Sequence, residues 1–231
     1  MMPLTADRPK PLVPVAGRPL LTRIITGICA AGITEAIIVT GYRGAMIEDY
    51  FGDGSTLGVR LIYRTQDPPD GTGGALRRVA DLCGDAPFLL HWGDILISPD
   101  NYPLLLASFA RCDATAVVGL NWMDDPCAGA AVYLAGERVT RIEEKPAPGT
   151  ATTQWNNAGV LALSARIWPY LQALTPSSRG EYEVTDALHA MIRAGEPVYG
   201  HPLTGLWSDV GTPEIVAALD NDPRLTITSS S

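Results

Sequence analysis

Two periodicities alternate along the first half of the chain. Arg18 to Gly32 carries apolar residues at helical spacing, with Pro19 in the first turn and Gly32 as the stop, so it predicts a helix. Ala36-Ile-Ile-Val-Thr is a β-branched run that fits a buried strand. The alternation then repeats. Helices are predicted over Gly44 to Phe51, Thr72 to Leu82 and Tyr102 to Arg111, and strands over Val59 to Tyr63, Pro87 to Trp92 and Ala114 to Leu120. Such β-α repeats with short connections predict a mostly parallel mixed sheet covered by helices on both faces, a Rossmann-like three-layer α/β sandwich.

The second half changes character. Ala130 to Leu134 and Arg138 to Ile142 flank a turn and read as a hairpin, and Val160 to Leu163 and Pro197 to Pro202 read as further strands. Ala165 to Leu174 and Val184 to Ala194 read as helices, and Thr212-Pro-Glu starts a last helix with Thr as cap and Pro at its first position. No linker marks a boundary, so a single domain is expected over residues 1–222, followed by a loosely held tail over 223–231. In an open α/β sheet, ligands bind beyond the carboxyl ends of the strands. Gln66 and Gly71, Asp94, and the Asp124-Asp125 pair all fall at such ends.

Composition narrows the partners. The 231 residues carry a net charge of −8, which argues against a polymeric nucleic-acid partner, since that needs a basic face. It leaves room for a nucleotide, which needs only a few local donors. Four scattered cysteines show no metal-finger spacing, and no apolar leader opens the chain, so reduced thiols and a cytoplasmic setting are expected.

Several short motifs carry candidate chemistry. Lys10 stands between Pro9 and Pro11, which restrict the backbone and aim the side chain; an exposed turn lysine is the plainer alternative. Gln66 to Ala75 is a Gly-rich strand-to-helix turn whose N–H groups could meet a base or phosphate, or form an ordinary loop. Asp94 ends an apolar strand after Gly93, a setting suited to Mg²⁺ in phosphate chemistry or to a simple cap. Glu143-Glu144-Lys145-Pro146 alternates acid and base along a strand, so Glu144 and Lys145 point to different contacts. Asp209 precedes the capped last helix. His91, His189 and His201 are not clustered and read as structural, and Asp124-Asp125 lacks the spacing of a metal-binding D-x-D.

Taken in order, these motifs resemble the sugar-1-phosphate nucleotidylyltransferases. The matching segments are Met2-Pro-Leu-Thr, Pro9-Lys-Pro-Leu-Val-Pro-Val-Ala-Gly17, Asp70-Gly-Thr-Gly-Gly-Ala-Leu76, Gly93-Asp94, Gly129, Glu143-Glu-Lys-Pro146, Asn157-Ala-Gly159, Gly180-Glu-Tyr-Glu-Val-Thr-Asp186 and Trp207 to Glu214. The resemblance is to short members such as the thymidylyltransferases and the uridylyltransferases acting on N-acetylmuramate 1-phosphate. It implies transfer of a nucleotidyl group from an NTP, UTP or dTTP by the Gln and Gly spacing, to a sugar 1-phosphate, supplying envelope precursors. It further implies Mg²⁺ on Asp94 and Asp209, Lys10 at the reacting phosphates and Lys145 on the sugar phosphate. Gln66, Gly71, Thr72 and Gly93 are then nucleotide-binding, and Gly129, Glu144 and Asn157 contact the sugar. A monomer or homodimer is expected.

One departure stands out. The family opens with a strand and an L-A-A-G-x-G-T-R loop ahead of the Met-x-Pro-Leu-Thr match, whereas this sequence opens at Met1-Met2-Pro3. The expectation is a start assigned to an internal Met. The alternatives are a truly shortened, catalytically weak chain, or a non-catalytic subunit of the same fold that binds sugar nucleotides or a catalytic partner. Without the strand, two inner sheet edges would lack partners, which predicts poor solubility or a low melting point.

Overall fold

The computed structural model describes residues 1–225. The elements in chain order are β1 (Pro14–Val15), β2 (Arg18–Pro19), α1 (Leu20–Ala30), β3 (Glu35–Thr40), α2 (Gly44–Phe51), β4 (Arg60–Thr65), α3 (Thr72–Arg77), α4 (Ala80–Cys83), β5 (Phe88–His91), β6 (Ile95–Ile97), α5 (Asn101–Arg111), β7 (Ala116–Trp122), β8 (Ala130–Ala135), β9 (Arg138–Glu144), β10 (Trp155–Leu163), α6 (Trp168–Gln172), α7 (Val184–Arg193), β11 (Val198–Pro202), β12 (Trp207–Asp209) and α8 (Pro213–Asp220). They fall into two compact units. One comprises Met1–Thr65, Trp92–Tyr102 and the chain from Thr204; the other comprises Gln66–His91 and Pro103–Leu203. Of the expected tail, residues 226–231 lie outside the described residues. The Leu225 carbonyl accepts a hydrogen bond from Arg23 at 3.4 Å.

In the first unit, α1 buries Leu20, Leu21, Ile24, Ile25 and Ile28, a stripe at i, i+4 and i+8 spacing. Leu20, Leu21, Ile24 and Ile25 join Val13, Val15, Phe51, Leu61, Leu96, Leu206 and Val210 in one apolar cluster. β3 and β4 pair in parallel from Glu35–Arg60 to Thr40–Thr65. β6 and β12 pair antiparallel, with Asp209 opposite Ile95. Neither β6 nor β12 is among the strands expected above, because three residues are too few to show a period.

Asn101 closes this unit. Fully buried, it donates to the Ser98 and Thr204 carbonyls, each at 2.9 Å, and accepts from the Thr204 N–H at 2.9 Å. Asn101→Ala removes three part-buried hydrogen bonds to the Ser98 and Thr204 backbone, each worth about 1 kcal/mol. We expect a loss of about 3 kcal/mol by urea denaturation; a loss below about 1 kcal/mol would show that water or a shifted loop replaces the amide.

The second unit holds a six-stranded sheet in the order β5-β10-β7-β11-β9-β8. The sheet is mixed, as expected, with antiparallel ladders outnumbering the parallel one. β7–β11 is the parallel ladder of this sheet; β5–β10, β10–β7, β11–β9 and β9–β8 are antiparallel. The cause is the connection. β8 and β9 share a tight turn, which only antiparallel strands allow, and β10 inserts between β5 and β7 running against both. The α/β class stands, and β5, β7 and β11 still run in one direction. Among the described residues, β5 pairs with β10 alone and β3 with β4 alone.

Two other elements differ from the expected ones. The helix expected over Thr72 to Leu82 is two pieces, broken where Val79 adopts φ −117°. Arg77 turns away there to the carbonyls of Leu171, Gln172 and Leu174, at 2.6 to 3.1 Å. β10 begins five residues earlier than expected, since the polar run Trp155-Asn-Asn is paired with β7 rather than looped.

Candidate active site

Each unit carries one constellation of candidate residues. In the first unit the ladder does the positioning. Asp94 precedes β6, Asp209 ends β12, and the Val210 N–H donates to the Asp94 carbonyl at 2.8 Å. The two carboxylates therefore sit side by side on a rigid hairpin-like pair. Lys10 begins a single 3-10 turn after Pro9. Its ammonium donates to Asp94 Oδ2 at 2.8 Å and lies 3.6 Å from Asp209 Oδ1. All three side chains remain partly exposed, between 28% and 55%, so a ligand can reach them. Gly93 beside them is open: an added Cβ would meet only Pro11 Cγ, at 3.8 Å.

In the second unit the Gly-rich turn is closed on itself. Gln66 donates from its amide nitrogen to Asp70 Oδ1 and to the Gly71 carbonyl, both at 2.8 Å. The side chain expected against a base is thus already a brace of its own loop. Although burial opposes it, the bonds from Gln66 and Arg78 hold the Asp70 carboxyl below its ordinary range. Gly71 has φ +95°, and its turn is pinned by Tyr182 N–H to Asp70 carbonyl at 2.8 Å and Gly73 N–H to Tyr182 carbonyl at 2.7 Å. Thr72 accepts from the Val184 N–H at 3.0 Å and donates to Glu183 Oε2 at 3.4 Å, capping the start of α7.

The sugar-side candidates lie on β8, β9 and β10. Gly129 is needed on steric grounds, since a Cβ there would lie 2.2 Å from Asn156 Oδ1. The Gly129 carbonyl accepts from the Lys145 N–H at 2.8 Å. Lys145 follows β9 with φ +43°, exposed, and among the described residues its ammonium makes no ion pair. Lys10 and Lys145 are the only two lysines in the chain. Asn157 is 1% exposed; its side-chain Oδ1 accepts from the Gly159 N–H at 3.1 Å while its side-chain Nδ2 has no partner among the described residues.

Glu144 is held from two sides, by the Thr185 hydroxyl at 2.8 Å and Arg179 at 3.4 Å. Arg179 also pairs with Glu183 at 2.6 Å. Glu144, Arg179 and Glu183 border a cavity of about 340 Å³, lined also by Glu143, Ser177 and His189 among others. Burial, then the neighbouring Glu181 and Glu144 carboxylates, push the Glu183 pKa up against the pull of Arg179.

The sign of that shift yields a prediction. An acid with a raised folded pKa favours the protonated protein, so its contribution is present at low pH and lost as pH rises through the folded value. Melting curves from pH 4.5 upward should show Glu183→Gln losing less stability with rising pH than the wild type. Parallel curves for the two would contradict the shift.

Glu183 and Thr185 lie in the matched Gly180–Asp186 segment, but the sequence reading assigns them, Arg179 and Asn156 no individual role. Asn156 is 3% exposed and bonds the Ala130 N–H at 2.9 Å and Asn121 at 2.8 Å, fixing the start of β8 beside Gly129. No local pattern separates Asn156 from Asn157. Conversely, Asp125 is a loop brace, accepting from the Cys127 and Gly149 N–H groups at 3.1 and 3.0 Å. His189 Nδ1 hydrogen-bonds the Ile142 carbonyl oxygen at 3.0 Å. The four cysteines are free thiols, and among the described residues no helix is long and apolar enough to cross a membrane.

Comparison with known proteins completes the picture. The chain is 33% identical over 216 residues to a low-salt glycan biosynthesis nucleotidyltransferase of Haloferax volcanii, covering 93% of this chain and 60% of that one. It is 34% identical over 217 residues to a mannose-1-phosphate guanylyltransferase of Mycobacterium tuberculosis, covering 93% and 58%. It therefore spans well under two thirds of the length of these relatives. A Bacillus anthracis protein assigned as a glucose-1-phosphate thymidylyltransferase, solved with a sucrose, superposes with TM-score 0.87 at 26% identity, over 100% of this chain and 92% of that one. A UDP-glucose pyrophosphorylase solved with UDP-glucose shares the fold, with TM-score 0.86 at 21% identity, over 96% and 92%. The nucleotidyl transferase family model matches residues 1–222. With the Lys10–Asp94–Asp209 cluster, the Gly-rich turn and the Glu144–Lys145 strand end all carried on a Rossmann-like α/β fold, the chain belongs to the nucleotidyl transferase family.

Proposed function

We propose that this chain transfers a nucleotidyl group from an NTP, UTP or dTTP, to a sugar 1-phosphate, giving an NDP-sugar and pyrophosphate. The observation that carries the reading is the convergence of Asp94 and Asp209 on the Lys10 ammonium. Two carboxylates that meet at one point, partly open to solvent, form a donor set suited to Mg²⁺, which takes one or two protein carboxylates and completes its shell with phosphate oxygens and water. Asp94 and Asp209 would hold that ion, and when bound it supplies charge neutralisation at the α-phosphate.

An oxygen of the sugar phosphate attacks the α-phosphorus of the NTP. The bond from that phosphorus to the α,β-bridging oxygen breaks, and pyrophosphate leaves with the electron pair. The attacking oxygen is already anionic near neutral pH, since the second phosphate pKa is about 6. No general base is needed, and the mechanism assigns none. Alignment and charge carry the rate. Lys10 offsets charge at the reacting phosphates. Lys145, exposed and without an ion-pair partner among the described residues, holds the phosphate of the sugar substrate. Thr185 and Arg179 orient Glu144 toward sugar hydroxyls. The Gly-rich turn around Gly71 receives the nucleotide. The reading includes a cytoplasmic monomer or homodimer that supplies envelope glycan precursors.

The test is Mg²⁺-dependent pyrophosphate release with UTP, dTTP, GTP and CTP against a panel of sugar 1-phosphates. It is run beside a version preceded by a strand and G-x-G-T-R loop. Turnover with UTP or dTTP in either version supports the reading. Nucleotide binding without turnover in both would instead indicate a non-catalytic sugar-nucleotide-binding subunit.

A further inference from the structure

Lys10 occupies an unusual position for a residue meant only to greet phosphate. Its ammonium lies 2.8 Å from Asp94 and 3.6 Å from Asp209, so it serves both carboxylates at once. The backbones that carry those carboxylates are held together. Asp209 is in ladder register with Ile95, and the Val210 N–H bonds the Asp94 carbonyl. Lys10 is itself restrained: Pro9 precedes it, Pro11 follows, and the Val13 N–H bonds its carbonyl at 3.0 Å. The resting cluster is therefore two anions and an internal cation carried on restrained backbone. A divalent ion arriving alone must displace that ammonium or sit beside it, and like charges at a few ångströms oppose entry. A triphosphate changes the balance. It offers Lys10 other oxygens to bond, and it supplies the metal oxygens that two carboxylates leave open.

Building on the reading that Asp94 and Asp209 hold the metal, we propose that Lys10 is the resident counter-ion of this pair and makes cation binding depend on nucleotide. The free protein binds a divalent ion weakly, and the nucleotide complex binds it tightly. The linkage is reciprocal, so the cation tightens nucleotide by the same factor.

The experiment titrates the full chain with Mn²⁺, reading free ion by electron paramagnetic resonance, with and without α,β-methylene UTP, which cannot be turned over. Without nucleotide, Lys10→Gln should bind Mn²⁺ at least tenfold tighter than the wild type. The tightening produced by nucleotide in the wild type should shrink correspondingly in Lys10→Gln. Lys10→Arg keeps the cation and should behave like the wild type. Lys10→Gln combined with Asp94→Asn should lose the gain, which assigns it to these carboxylates. Lys10→Met serves in place of Lys10→Gln if circular dichroism shows the latter misfolded. Mn²⁺ binding by the Gln or Met variant that is no tighter than wild type, or undetectable in both, overturns the proposal. The readout needs no turnover. A failed pyrophosphate assay with this Mn²⁺ pattern intact would count against the proposed activity and leave the Lys10 role standing.

Discussion

Replacing Asp94 by Asn should lower kcat/KM for pyrophosphate release at least about a thousandfold, while the protein still folds. The carboxylate faces Lys10 at 2.8 Å and shares its site with Asp209, so it stands where charge must be neutralised as the α-phosphate reacts. Losing one preorganised electrostatic partner in such a site costs about 100- to 1000-fold, and here the same change also removes a metal oxygen. Stability should hardly move. The Lys10 and Asp94 side chains are 28% and 39% exposed, and solvent-screened pairs of this kind contribute about 1 kcal/mol or less. The Asp94 backbone carbonyl, which anchors Val210, is untouched by the substitution. Steady-state kinetics and a melting curve on the same preparation separate the two effects. Activity within tenfold of the wild type would remove Asp94 from the reacting centre.

Gly71→Ala should be the most damaging single change in the Gly-rich turn. At φ +95° a side chain is strained whatever the space. Here there is also no space: a Cβ would lie 2.5 Å from the Tyr182 carbonyl oxygen and 2.9 Å from its nitrogen. Those two atoms are the ones that pin the turn, through Gly73 and Asp70. The turn must open or the Tyr182 segment must move, and Arg77 stacks over the Tyr182 ring at 4.3 Å. Strain of this kind costs about 1 to 3 kcal/mol before lost hydrogen bonds are added. We expect a loss of about 3 kcal/mol in denaturant titration, with nucleotide affinity reduced at least about tenfold. Gly93→Ala is the matched control, since its Cβ meets open space and should cost about 0.5 kcal/mol or less. Equal effects at the two glycines would show that the Gly71 turn adapts freely.

The residues of the candidate site divide by how local their signal is. Lys10, Asp94, Lys145 and Asp209 were legible because each stands in a short motif: a lysine between prolines, a carboxylate at a strand end, a Glu-Lys-Pro, an acid before a capped helix. Gln66 and Thr72 were legible as positions, but their roles as braces were not. A glutamine side chain returning to its own loop, at 2.8 Å, leaves no trace in composition. The contacts that Arg179, Thr185 and Asn156 make in the site were illegible. Their partners lie 35, 41 and 26 positions away, and only folding brings those pairs into contact.

The sequence by itself determined the α/β class, nearly every long helix and strand, and the family. These follow from apolar periodicity and from motifs within a few residues of one another. Tertiary structure alone decided that β10 runs against β5 and β7, that three-residue β6 and β12 pair to hold Asp94 beside Asp209, and that Lys10 sits between them. Each depends on strands distant in the chain meeting in one register. That register is set by the burial of side chains far from either motif, which no local pattern encodes.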